Sequence, residues 1–169
     1  GPDPGGDPDF GEIPSDALRV PEDYATIQSA IDAAPDGATI LVAPGTYAET
    51  LEIDDKSLRL ASHFVLTRSL ATVDATIIDG GGADVVLGIG SDAGPELSII
   101  GFTIQNGRDG IRPRAAFDLS YSHIRNMRDG IDYEGGGGMN YLRYNRFTDN
   151  GDDAIDLDRD TAVIAEHNV

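Results

Sequence analysis

Asp152, Asp153 and Asp156 fall within the single run GDDAID (151–156), close to Asp158 and Asp160. Carboxylates this dense must be neutralised by arginines or by a hard cation such as Ca²⁺, whose preferred ligands are oxygens. Two upstream stretches resemble this run. Asn106-Gly107-Arg108-Asp109-Gly110-Ile111-Arg112 and Asn126-Met127-Arg128-Asp129-Gly130-Ile131-Asp132 align with Asn150-Gly151-Asp152-Asp153-Ala154-Ile155-Asp156, the asparagines lying 20 and 24 residues apart. If the isoleucines point inward, alternation along a strand turns Arg112, Asp132 and Asp156 outward in one column, about 4.8 Å apart. Asp109, Asp129 and Asp153 form a neighbouring column, and Asp152 stands level with Arg108 and Arg128. The expected metal ligands are Asp152, Asp153 and Asp156, with calcium as the cofactor. Arg112 and Asp132 are expected substrate contacts. Tyr144, with Tyr121 and Tyr141, could offer rings to the apolar face of a pyranose; Tyr133 falls in an inward register and is expected in the core. Gly-Asp-Asp and Asn-Gly are also ordinary turn residues, so a purely structural reading of the repeat stands beside the chemical one.

A repeat of 20 to 24 residues is the length of one coil of a β-solenoid. Ile111, Ile131 and Ile155 would stack inside it. Asn106, Asn126 and Asn150 would stack at a turn, their amides bonding along the column. Short apolar runs such as ATILVA (38–43), SLRLAS (57–62) and LSIIGFTI (97–104) are broken by Gly, Asn and Asp, and no helical period returns after Pro35. Upstream, Tyr24, Ile27, Ala30, Ile31 and Ala34 recur at helical spacing and predict a capping helix within residues 17–36. Residues 1–16, rich in Pro, Gly and Asp, read as a flexible leader. Residues 37–169 read as coils that stop in an apolar strand, which implies truncation, self-association through an open C-terminal end, or continuation of the coils in another chain.

Composition narrows the partners. The 169 residues carry 30 Asp and Glu against 12 Lys and Arg, a formal charge of −18, which repels nucleic acid and anionic headgroups. Cysteine is absent, so thiolate chemistry and disulfides are excluded. No apolar run is long enough to insert in a membrane. His63, His123 and His167 lack metal-ligand spacing, and Gly135 to Gly138 have no Lys-Ser/Thr after them to make a phosphate loop.

The stretch TIQSAIDAAPDGATILVAPGTYAETLEIDDKSLRLAS (26–62), with its PGTY turn at Pro44–Tyr47, together with TIIDGGG (76–82) and IIGFTIQNG (99–107), resembles the pectin-lyase-like superfamily of right-handed parallel β-helices. The resemblance implies an all-β, single-stranded parallel β-helix with an N-terminal capping α-helix, in a secreted, periplasmic or cell-surface protein. It implies a carbohydrate-active function: binding or cleaving an acidic polysaccharide such as pectate or alginate with calcium assistance, by β-elimination if catalytic. The lysine base of related lyases has no counterpart, since Lys56 stands far from the acidic run; the resemblance offers Arg112, Arg143 and Arg146 as substitutes. The alternative is a non-catalytic structural or adhesive module.

Overall fold

The computed structural model describes residues 10–135, 137–158 and 161–169. Asp160 and residues 1–9 of the expected leader lie outside that set. From the N-terminus the chain forms strand β1 (Leu18–Val20), helix α1 (Ile27–Ala33), and strands β2 (Ala38–Val42), β3 (Gly45–Ala48), β4 (Leu51–Ile53) and β5 (Leu58–Ser62). Two short helices, α2 (Phe64–Thr67) and α3 (Leu70–Ala75), precede the long strand β6 (Thr76–Ile89). Then come β7 (Leu97–Ile100), β8 (Thr103–Pro113), β9 (Asp118–Ser120), β10 (His123–Arg125) and β11 (Asp129–Asp132). The last four are β12 (Met139–Arg143), β13 (Arg146–Thr148), β14 (Ile155–Asp156) and β15 (Ala162–Glu166).

These strands make two parallel sheets. One has seven strands in the order β1-β2-β5-β7-β9-β12-β15; the other has eight, built on β13-β10-β8-β11-β14 with β3, β4 and β6 joined to it. This corrects the expectation of an all-β, single-stranded parallel β-helix solenoid. The finding that overturns it is an α/β arrangement: two large parallel sheets with helices between strands. Residues 63–75, HFVLTRSLATVDA, are too short a stretch to show a helical period. Its helices are recognisable only from tertiary burial of Phe64, Val65 and Val73, and from the Ser69 side chain accepting the Ala71 N–H.

Parallel pairing in register stacks like residues. Ile40, Leu60, Ile99, Leu119 and Leu142 pair in succession across the seven-stranded sheet, and each is fully buried. In the other sheet Leu87, Ile111, Ile131 and Ile155 form the matching column. Burying each such side chain stabilises the fold by about 1.5–3 kcal/mol. The repeated Asp-Gly pair has a steric cause. A Cβ on Gly110 would come 2.5 Å from the Gly130 carbonyl oxygen, and one on Gly130 would come 2.5 Å from that of Ala154. Helix α1 is shorter than its apolar stripe. Thr26 caps it, its side chain accepting from the Ser29 N–H, and Glu49 accepts from the N–H groups of Ile27 and Gln28 at 2.9 and 3.0 Å.

Two polar ladders fasten the turns. Asn126 Nδ2 donates to Asn106 Oδ1 at 2.5 Å, and Asn106 Nδ2 donates to Asp79 Oδ2 at 2.8 Å. Asn150 leaves this ladder: its Oδ1 accepts from the Met127 N–H, and Asp149, not Asn150, takes the left-handed backbone of Asn106 and Asn126. The second ladder joins Ser122, Asn145 and Asn168. Asn145, fully buried, accepts the Ser122 N–H at 3.0 Å and donates to the Leu119 carbonyl at 2.9 Å; Asn168 accepts the Asn145 N–H at 2.9 Å. Asn145→Ala therefore strands a buried donor and a buried acceptor, and should lower stability by about 3 kcal/mol. Urea unfolding checks this; a midpoint within error of wild type would show that the ladder contributes nothing.

Candidate functional site

Arg112, on β8, stands in a cage of carboxylates. Asp109, three residues back, binds its Nε and Nη2, Asp84 on β6 lies 3.4 Å from Nη1, and Glu134 and Asp132 lie 3.6 and 3.8 Å from Nε. The carboxylate of Asp109 is only 1 % exposed. Burial alone would lower the pKa of Arg112, but the hydrogen bond and charge of Asp109, with Asp84 and Glu134, more than offset this and raise it. Such a guanidinium is held charged and is poorly disposed to take a proton. Asp132, in the next strand, is raised by burial first and then by Asp109 and Asp156, against the opposing pull of Arg112. Across Gly88 the carboxylate of Glu52 lies where a Cβ would otherwise stand. Glu52 is raised by burial and by Asp54, with Arg114 opposing.

Beside this cage the backbone stacks Arg108, Arg128 and Asp152, the N–H of each later residue donating to the carbonyl before it at 2.8 Å. Arg108 pairs with Asp84 and Arg128 with Asp152, at 3.4 and 3.3 Å, and the arginine side chains are 55 % and 52 % exposed. Arg128 lines an open groove of 820 Å³ that runs from Gly81 and Gly82 past Asn106 and Asn126 to Asp152, and Arg108 follows Gly107 of its wall.

The other expected residues lie apart from this cluster. Arg143, on β12 of the seven-stranded sheet, binds Glu166 at 3.1 Å and sits 4.4 Å from the centroid of the Tyr141 ring. Arg146, on β13, binds Asp74 at 2.6 Å. Neither meets Arg112 in any described ion pair. Tyr144 stacks between Tyr121 and His167, with centroids at 4.9 and 4.8 Å and planes within 7°. Its faces are covered, so only an edge remains for a sugar. Tyr133 is in the core. The repeat that would have revealed this stack is in the sequence: Tyr121-Ser122, Tyr144-Asn145 and His167-Asn168 recur every 23 residues.

The expected calcium ligands Asp152, Asp153 and Asp156 lie on and beside β14. Asp152 turns to Arg128, the Asp153 N–H donates to Asp129 Oδ1 at 3.2 Å, and Asp156 lies in register with Asp132 one strand away. Of the three carboxylates, that of Asp152 is drawn to Arg128, and among the described residues no group of three or more His, Cys, Asp or Glu is disposed to hold a metal. Among the same residues no helix is long and apolar enough to cross a membrane.

Comparison with known proteins finds no match among family models, curated proteins or solved structures.

The cage predicts a contrast between two arginines. Arg112→Ala leaves the buried Asp109 carboxylate uncompensated and should cost about 3 kcal/mol, whereas Arg128→Ala, at the surface, should move the unfolding midpoint little. Equal midpoints for the two variants in chemical denaturation would refute the assignment of Arg112 as the buried partner.

Proposed function

We propose that the chain binds an acidic polysaccharide along the groove beside Arg108 and Arg128, without cleaving it. What carries this reading is the difference between the arginines. Exposed ion pairs contribute little, so Arg108 and Arg128 can exchange Asp84 and Asp152 for a ligand carboxylate at small cost. Arg112 cannot leave Asp109 so cheaply. The two exposed guanidiniums stand one strand apart and offer the planar fork that suits carboxylates. The amides of Asn106 and Asn126, and the glycine-rich floor, suit hydroxyl groups.

Binding is favoured over β-elimination because the one arginine in the acidic cluster that could serve as base is held protonated by its neighbours. The charge of −18 opposes a polyanion at long range, so affinity should come from several weak contacts along a polymer and fall for short oligomers. A structural or adhesive module remains the second reading, favoured by how much of the polar side-chain inventory is spent on ladders between strands.

Calorimetry with polygalacturonate and alginate, in buffer containing a chelator, tests the reading. Binding should persist in chelator, weaken about tenfold or more in the Arg108→Ala/Arg128→Ala double variant, and yield no unsaturated product in the ultraviolet. No heat with either polymer would favour the structural module; appearance of unsaturated product would overturn the non-catalytic reading.

A further inference from the structure

Asp109 has an oxygen with nothing to bond. Its Oδ2 takes Nε and Nη2 of Arg112, but Oδ1 is buried and finds no hydrogen-bond donor. Native proteins rarely leave such an atom unsatisfied. Asp132 lies in the next strand, in line with Arg112, and the two carboxylates converge on one atom: Arg112 Nε is 3.1 Å from Asp109 Oδ2 and 3.8 Å from Asp132 Oδ2. Two ionised carboxylates cannot hold that contact, whereas one proton between them satisfies both.

We propose that Asp132 and Asp109 share a proton, forming an acid–carboxylate bridge between β8 and β11 that fastens these strands at low pH and releases them as the pH rises. Asp132, the more exposed of the two, carries the proton and donates to Asp109 Oδ1, while Asp109 Oδ2 keeps Arg112. On release the proton passes to water.

The charges facing the pair favour retention of the proton. Arg112 on β8 and Arg128, just before β11, oppose Asp84 from β6, Asp129 from β11, Asp156 from β14 and Glu134 beyond β11. Asp84 and Glu134 are themselves paired with Arg108 and Arg114, so the charges that act on Asp132 are Asp109 and Asp156, which favour the proton, and Arg112, which opposes it. Burial, the largest influence on Asp132, also favours the proton. Because the folded group holds its proton more tightly than the unfolded one, the bridge contributes its full stability below the ordinary aspartate value. That stability is lost as the pH climbs through the raised folded value.

Carboxyl carbon NMR titration of the whole protein, with melting curves from about pH 4 to about pH 7, tests the bridge. Asp132 should titrate above the ordinary value of 3.8. In Asp132→Asn the amide donates to Asp109 at every pH, so wild type should fall relative to this variant by about 3 °C across the range. Titration of Asp132 at or below 3.8, or the same pH slope in both proteins, overturns the proposal. Should the variant not fold, the wild-type titration decides alone. Neither measurement involves the groove ligand, so the result is independent of the binding reading.

Discussion

In a parallel sheet held in register each residue stands over its counterpart about 4.8 Å away, and whatever one strand presents, the next must accept. The constraint is benign for apolar side chains, which is why Ile40, Leu60, Ile99, Leu119 and Leu142 can succeed one another through the core. Polar side chains need complementary donors and acceptors at the same spacing. An amide carries both, so Asn126 can donate to Asn106, which in turn donates to Asp79. A carboxylate carries only acceptors, and stacked carboxylates require arginines or protons between them. Much of the chemistry of the acidic face follows from that asymmetry.

The arginines accordingly divide into two kinds. Arg112 is tied to a buried carboxylate, and its removal would leave charge in the interior. Arg108, Arg128 and Arg114 pair with partly or largely exposed acids and are far less committed. A groove meant to exchange partners is better served by the second kind, because water screens the pair it must give up. The acidic surface is then less uniform than its net charge suggests: a partly buried cage around Arg112 lies beside a more exposed rim.

The turns follow the same stacking rule with different residues. Tyr121, Tyr144 and His167 all take left-handed backbone, uncommon for residues with bulky side chains. Their rings stack on one another, and Ser122, Asn145 and Asn168 behind them carry the backbone bonds. Ring stacking and the amide ladder act here on consecutive residues, and together they hold the unusual backbone in place.

Much of the local order was legible in the sequence. The Asn-x-x-Asp-Gly-Ile repeat identified the columns of Ile111, Ile131 and Ile155 and the level placement of Arg108, Arg128 and Asp152, because alternation along a strand and a repeat length are properties of the chain itself. The helix at Ile27–Ala33 was visible for the same reason. The overall class was not: α2 and α3 are too short to carry a period, and they form because Phe64, Val65 and Val73 find a surface to cover. Nor could spacing reveal that Asp152 turns to Arg128, or that Asp109 is buried against Arg112 while Arg143 and Arg146 belong elsewhere. Which charge meets which depends on the reach and burial of side chains from several strands at once, and only the folded chain brings those together.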